Sequence, residues 1–185
     1  MEKAILRATV GRFISDGYAR MTIGDIASDA GVTRPTVYRR WANKHDLVVD
    51  ALDFNFQEER ESEPLGPLDD LPPVEALGRA LRYSVPYAPP GRGMTVVGHV
   101  LTETEHNPGL LELVRGHAIG PRMQPLLDTL HRLREEGELR TDMDVLVVAD
   151  MMIGSIYSSY LRTGDRDPGL ADRVVAALWP VLSEG

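Results

Sequence analysis

The sequence predicts an all-α protein, with a small three-helix domain at residues 1–48 and a larger helical domain at residues 49–185. Two observations predict this class. Apolar residues recur at spacings of three and four through most of the chain, and no segment alternates polar and apolar residues between turn signals. Helix boundaries are also well marked, because capping side chains, prolines and glycines stand where such segments should begin and end.

In the N-terminal domain the pattern predicts helices at about residues 3–16, 22–30 and 33–40. A fourth helix starts near Asn43 and runs to about Arg60, before a proline-rich and acidic loop at 61–73. Further helices are predicted at about residues 74–87, 93–106, 108–118, 120–136, 143–162 and 168–182. The second domain is therefore helical throughout.

Several side chains have the chemistry and position of helix caps. Thr22 stands three residues before Asp25, which is capping-box spacing with Asp in place of the usual Glu. Thr33 is predicted to cap the third helix. Asn43, Asn107 and Asp167 are further predicted caps, and prolines follow the last two, while Gly17, Gly31 and Gly137 stand at predicted helix ends.

The net charge of −8 is distributed unevenly. Residues 1–48 hold eight Lys or Arg residues and five acidic ones, a net of +3, whereas the remaining residues carry a net of −11. A basic end on an acidic body is expected when one end of a protein meets phosphate and the rest must not. The charge pattern therefore predicts nucleic-acid binding by the N-terminal domain.

Composition excludes several other classes. The chain has no cysteine, so disulfides, thiolate nucleophiles and cysteine-zinc sites are absent. The most apolar segment, 145–161, contains Asp150 and is shorter than the ~20 residues of a membrane span. We expect no membrane association, a cytoplasmic location and no cofactor. The sequence contains no glycine-rich phosphate cradle, no HExxH motif and no nucleophile beside a base, so an enzyme is the unfavoured alternative.

The second and third helices are joined only by Gly31, Val32 and Thr33, which predicts a helix-turn-helix. Val37 and Trp41 share the inward side of the third helix. Its outward side carries Pro35, Thr36, Arg39 and Arg40, with Arg34 and Tyr38 at the margins. Arginine can bind guanine or phosphate, and threonine or proline can contact a thymine methyl, so this face suits the major groove. Lys44, at the start of the next helix, is a predicted phosphate contact.

Residues 4–50 resemble the DNA-binding domain of the tetracycline-repressor (TetR) family. The residues that carry the resemblance are Ile5, Leu6, Ala8, Phe13, Gly17, Tyr18, Thr22, Ile26, Ala27, Ala30–Thr33, Thr36–Trp41, Asn43, Lys44 and Leu47. The resemblance implies that Thr22 and Lys44 contact phosphate. It also implies that Thr33, Arg34, Pro35, Thr36, Tyr38, Arg39 and Arg40 lie at the groove.

Two residues depart from the family's pattern. Arg12 occupies a position that is usually apolar, so its side chain is predicted to reach solvent or to contact DNA. Gly24 replaces a position that is often basic or polar, so a DNA contact from there is predicted to be missing.

The helix at 143–162 is apolar nearly all round, which predicts burial on both sides: one by the chain's own core and one by a second subunit. The run Gly137–Arg140 with Asp142 and Asp144 is similar to a turn that precedes the penultimate helix in many members of the family. Together with the final helix, this helix predicts a homodimer with a four-helix interface, and a dimer can reach two successive major grooves of a palindromic operator. The predicted interface residues are Val145, Val148, Met152, Ile156, Leu170, Val174 and Leu178.

The middle helices are predicted to hold a small-molecule effector. Apolar walls with a few phenols and one imidazole suit a drug-sized, partly aromatic or lipid-like ligand, although the same residue types also build ordinary cores. The predicted lining residues are Tyr83, Tyr87, Met94, Val97, His99, Leu101, Met123, Leu127, Met152, Tyr157 and Tyr160. The sequence thus predicts a repressor that an effector releases from DNA, and a regulator that binds no ligand is the alternative.

A metal site is a further, less favoured reading of one helix face. His99, Glu103 and His106 lie at i, i+4 and i+7, a spacing that permits a metal ion but equally fits a wet surface. We predict no metal.

Overall fold

The computed structural model describes residues 1–62, 64–85, 92–103, 108–165 and 167–183. Its ordered elements are helices, which confirms the predicted all-α class. They are α1 (Glu2–Arg20), α2 (Ile23–Asp29), α3 (Arg34–Tyr38), α4 (Lys44–Ser62), α5 (Pro73–Ser84), α6 (Arg92–Glu103), α7 (Pro108–Val114), α8 (Gly120–Glu135), α9 (Val145–Thr163) and α10 (Leu170–Leu182), with a π-helical turn at Arg115–Ile119. Across the described residues, no helix is both long and apolar enough to cross a membrane.

Several predicted boundary signals act as expected. Thr22 caps α2, since its hydroxyl accepts a hydrogen bond of 3.2 Å from the amide of Asp25. The Asn43 side chain likewise accepts from the amide of Asp46 at 2.9 Å, ahead of α4. Gly17 has φ 74° and breaks α1, and Gly31 has φ 66° in the turn before α3; both conformations favour a residue without a Cβ.

Other predicted caps need correction. Thr33 precedes α3, but its hydroxyl bonds the hydroxyl of Thr36 at 3.0 Å instead of a first-turn amide. Asp167 accepts from the amide of Gly169, so it stabilises a turn, and α10 begins two residues later than predicted, at Leu170. The cap expected at Asn107 lies outside the described residues.

The described helices form two compact units. Unit 1 contains α1 to α4 with α6 and α7, and unit 2 contains α5 and α8 to α10. The division at residue 48 stays a prediction about function, since α4 and α6 pack on α1 in the same unit.

Unit 1 has a continuous apolar core. Its fully buried members include Phe13, Ile26, Val37 and Leu47, one from each of the first four helices. Val37 therefore faces inward as the sequence predicts, and burial of these side chains provides most of the driving force for holding the helices together. The opposite face of α3 is left at the surface.

Unit 2 places the apolar stripe of α9 against its own helices. Val145, Val148, Met152 and Ile156 are at most 8% exposed, as is Val174 of α10. In this unit α9 packs on α8, α10 and α5. A side chain buried within its own chain cannot also be buried by a second one, so these five predicted interface residues belong to the monomer core. Leu170 and Leu178 are half-buried.

Candidate nucleic-acid interface

The turn between α2 and α3 sets the angle at which α3 is presented. The amide of Val32 donates to the carbonyl of Ala27 at 2.9 Å, which closes the turn at Gly31. Val32 packs on the core of unit 1, while Ala27 is 2% exposed and Val37 is fully buried. These contacts fix α3 by its inner face, so its outer face can meet a ligand without disturbing the core.

The residues predicted to contact DNA lie at this surface. Thr36 and Lys44 are half-buried, and the exposed members of the set are Thr22, Thr33, Arg34, Pro35, Tyr38, Arg39 and Arg40. They come from the starts of α2 and α4 and from α3 with the residues on either side of it. The surface thus brings the predicted set together, and whether each residue contacts DNA stays a prediction.

The basic side chains of unit 1 differ in whether they are hydrogen-bonded within the protein. Among the described residues, Arg39 makes only a long contact of 3.5 Å to the hydroxyl of Thr36. Arg34 has no acceptor among the described residues. By contrast, Arg7 pairs with Glu58 at 2.6 Å, and Arg20 donates to the carbonyl of Asp16 at 2.9 Å. Arg34 and Arg39 are therefore the arginines whose donors can be given to a polyanion with the least loss inside the protein.

Arg40 is held by an acidic residue at the start of the chain. Its guanidinium forms an ion pair with Glu2 of α1, and both side chains are substantially exposed, at 40% and 55%. Such surface pairs contribute little to stability because water and salt screen them. A phosphate that approaches Arg40 would therefore have to displace Glu2.

Changing Glu2 to Gln is expected to raise affinity for duplex DNA by up to about fivefold, because it releases Arg40 from its partner. Fluorescence anisotropy of a labelled duplex measures the change. Glu58→Gln is the matched control, since it removes the same charge from the partner of Arg7. Equal effects of the two changes would mean that only net charge matters and that Glu2 does not hold Arg40.

Lys44 connects the start of α4 to the end of α1. Its ammonium donates to the carbonyls of Tyr18 and Met21, at 2.7 and 3.3 Å, and lies 4.4 Å from the centre of the Tyr18 ring. An ammonium has three donors, so one remains for phosphate. Lys44 thus also holds the two helices together, a role that its sequence position alone does not reveal.

Arg12 forms an internal ion-pair network and does not simply reach into solvent. Its guanidinium donates to both carboxylate oxygens of Asp29 at 2.6 and 2.9 Å, and to Asp16 at 3.2 Å. Those hydrogen bonds lower the pKa of Asp29 and of Asp16 below the ordinary value and raise the pKa of Arg12. The departure from the usual apolar residue therefore joins α1 to the end of α2.

The lowered pKa values predict acid sensitivity. The carboxylates stabilise the fold fully above their unfolded pKa of about 4, and that contribution is lost as the pH falls through their lower folded values. Asp29→Asn is expected to lower the stability of unit 1 at pH 6. It is also expected to reduce the loss of stability between about pH 4 and pH 2. Thermal melts across this range measure it. Asp25→Asn is a control from the same helix, and an unchanged acid profile in Asp29→Asn would contradict the assignment.

An open pocket of about 590 Å³ lies beside this surface. It is lined by Met21, Thr22, Ile23, Gly24, Arg34, Tyr38, Ala42, Asn43 and Lys44. Two cationic side chains and several hydroxyl and amide groups therefore border one depression next to the outer face of α3.

Comparisons with known proteins agree with this geometry. The family described as bacterial regulatory proteins, tetR family, matches residues 5–51, and the family described as tetracyclin repressor-like, C-terminal domain, matches residues 87–178. The chain belongs to the tetracycline-repressor family.

Individual relatives cover nearly the whole chain. The DNA-binding transcriptional repressor TetR of Mycobacteroides abscessus is 28% identical over 182 residues, covering 97% of this chain and 92% of the relative. A TetR transcription regulator from Haloarcula marismortui has a TM-score of 0.76 at 17% identity, covering 99% of this chain and 98% of that one. The transcriptional regulator FadR of Bacillus subtilis, solved in complex with stearoyl-CoA, has a TM-score of 0.71 at 20% identity, covering 95% and 96%.

This member of the family is a transcriptional regulator with a DNA-binding helix-turn-helix. The family resemblance inferred from residues 4–50 is confirmed, and it extends into the second half of the chain, where the sequence pattern was faint. The surface of α3 described above is the part of the regulator that carries the DNA-binding motif.

The predicted effector residues of the regulator are divided between the units. Tyr83, Met123, Leu127, Met152, Tyr157 and Tyr160 lie in unit 2, whereas Val97 and His99 lie in unit 1. His99 contacts α1: its Nε2 is 3.2 Å from the carbonyl of Ile14 and its ring meets Phe13 edge-on at 5.7 Å. Tyr87 and the side chain of Met94 lie outside the described residues.

Unit 2 also contains a buried cation that the sequence analysis missed. Arg122 of α8 is 6% exposed, donates to the carbonyl of Tyr83 at 3.2 Å and lies 5.6 Å from that ring. Burial raises the pKa of Tyr157, and the charge of Arg122 opposes that rise. Its position was detectable, because Arg122, Leu126 and Leu130 recur at intervals of four on the buried side of α8.

The less favoured metal site cannot be assembled from what is described. His106 and Glu105 lie outside the described residues. Among the residues that the structure does describe, no three histidine or acidic side chains come together to hold a metal ion.

Proposed function

We propose that the regulator is a repressor that binds a palindromic operator as a homodimer and is released by a small-molecule effector. The observation that supports the DNA-binding part is the exposure of Arg34 and Arg39 at and just after α3. Among the described residues Arg34 has no acceptor and Arg39 has one contact of 3.5 Å. The repressor role is supported by the similarity to a relative named as a DNA-binding transcriptional repressor.

Selection of bound DNA from random duplexes tests this function. We expect enrichment of a palindrome whose half-sites are about 34 Å apart, one helical turn, because two copies of α3 must enter successive major grooves. Repeating the selection with a metabolite extract is expected to release the DNA. Enrichment of no palindrome would contradict dimeric operator binding.

The dimer is proposed to form through apolar side chains that the chain does not bury itself. On α9, Val147 is 52%, Met151 54% and Leu161 83% exposed, and on α10 Val181 is 64% exposed. The three α9 residues recur with Gly154 and Ser158 at spacings of three and four, which places them along one side of the helix. Exposed apolar side chains in a stripe are typical of a subunit interface, and this stripe replaces the buried one predicted from sequence.

Changing Met151 to Asp is expected to convert the dimer to monomers and to weaken operator binding strongly. A charge in a buried apolar interface costs more than the interface can compensate. Sedimentation equilibrium measures the oligomeric state. Val74→Asp, at a side chain 40% exposed on α5, is the matched control. A Met151→Asp protein that remains dimeric would place the interface elsewhere.

The effector is proposed to bind in unit 2. The buried guanidinium of Arg122 lies 5.6 Å from the Tyr83 ring and its charge acts on Tyr157, and Met152 is buried in the same unit; such groups suit a ligand with an apolar body and a polar end. The solved complex of FadR with stearoyl-CoA is an example of a lipid-like ligand on the same fold. Effector binding and DNA binding must then weaken each other by the same factor.

The alternative is a regulator that binds no ligand. Failure of every fraction of a metabolite extract to release the selected operator, or to raise the melting temperature of the protein, would favour that alternative.

A further inference from the structure

The side chain of Arg34 of α3 lies directly over Gly24 of α2. A Cβ at residue 24 would lie 2.8 Å from both Cζ and Nε of Arg34, closer than non-bonded atoms approach. The guanidinium therefore occupies the place that any side chain at residue 24 would fill. Since it is the far end of a flexible side chain, a larger residue at 24 would displace it at little cost to the fold.

The same place borders the open pocket beside α3. Arg34 and Lys44 are its two cationic lining residues. Lys44 uses two of its three donors on the carbonyls of Tyr18 and Met21. The guanidinium of Arg34 has five donors and, among the described residues, no acceptor. Arg34 is thus the side chain of this pocket best able to bind an anion.

We propose that Gly24 positions Arg34 to bind a backbone phosphate of duplex DNA, and that Arg34 does not read a base. Arg34 lies over Gly24 of α2 and lines the pocket that Thr22 and Lys44 also line, whereas Arg39 is not among the residues that line it. A contact of this kind adds affinity on every sequence and carries no sequence information. The inference rests on the DNA-binding part of the proposed function, and Gly24 acts in it only through Arg34.

The salt dependence of binding to a random-sequence duplex tests the phosphate contact without an operator. For Arg34→Ala, the slope of log K against log salt is expected to become shallower by about 0.9 for each bound copy of the chain. Affinity at low salt is expected to fall roughly three- to tenfold, equally on random duplex and on selected operator. Arg20→Ala is the control, since Arg20 is bonded to its own helix.

A double-mutant cycle tests the role of Gly24. Gly24→Ala is expected to reproduce much of the Arg34→Ala loss, to have no further effect in an Arg34→Ala background, and to leave the melting temperature unlowered, because alanine favours a helix. Gly11→Ala is the matched control on α1, where an added Cβ meets nothing within 4 Å.

Three results would overturn the proposal. The first is an unchanged salt slope in Arg34→Ala. The second is a loss confined to the operator with relaxed base preference, which would make Arg34 a base contact. The third is an equal effect of Gly24→Ala with and without Arg34. Failure to find a palindrome or an effector would count against the proposed function alone, since random duplex needs neither.

Discussion

Replacing Arg39 with alanine is expected to weaken operator binding by about 1–3 kcal/mol and to relax base preference at one position of each half-site. Arg39 is the C-cap of α3, is exposed, and among the described residues makes only a 3.5 Å contact to Thr36. Because its guanidinium makes so little contact within the protein, it can bind the edge of a guanine without losing a strong hydrogen bond. Titration of operator variants changed one base pair at a time measures both effects.

Arg7→Ala is the control for this prediction. It removes an arginine from the same unit, but one that pairs with Glu58 and lies on α1. We expect operator affinity and base preference to stay within about twofold of the unchanged protein. A uniform loss on all sequences in Arg39→Ala would instead assign Arg39 to phosphate.

Replacing Phe13 with alanine is expected to lower the free energy of unfolding of unit 1 by about 3–5 kcal/mol. The Phe13 side chain is fully buried at the centre of α1, and its ring packs edge-on against His99 of α6. Alanine would leave a cavity among helices whose positions set the angle of α3. Urea unfolding followed by circular dichroism measures the loss.

Leu101→Ala is the matched control, because Leu101 of α6 is 62% exposed. Its unfolding free energy is expected to change by less than about 0.5 kcal/mol. A small effect of Phe13→Ala would show that α6 does not pack tightly on α1 and that the contact between Phe13 and His99 adds little.

The DNA-binding surface was largely predictable because it is built from one continuous stretch of chain. Thr22 acts on Asp25 three residues away, and the turn at Gly31 is closed between Ala27 and Val32, so short sequence spacings translate directly into contacts. The outward position of Arg39, the C-cap of α3, follows from the inward position of Val37 two residues earlier. Residues 22–44 thus carry most of the information needed to orient α3.

The contacts that sequence reasoning missed join distant parts of the chain. Glu2 pairs with Arg40, Arg12 with Asp29, and Lys44 with the carbonyl of Tyr18. The sequence offers each of these cationic side chains several chemically equivalent partners. Only the folded structure shows which of them lies within bonding distance. The same reason explains why the predicted interface residues of α9 are buried within the chain itself: α9 is apolar on both sides, and its periodicity does not say which side the chain's own core will cover.

The sequence by itself determined the all-α class, the helix-turn-helix and the basic character of its surface, because these depend on local spacing and composition. The tertiary structure decided which arginines remain available for DNA, which face of α9 is left uncovered, and that the space above Gly24 belongs to Arg34. Those outcomes depend on which helices become neighbours. That choice is made by the packing of the whole core, and no local pattern records it.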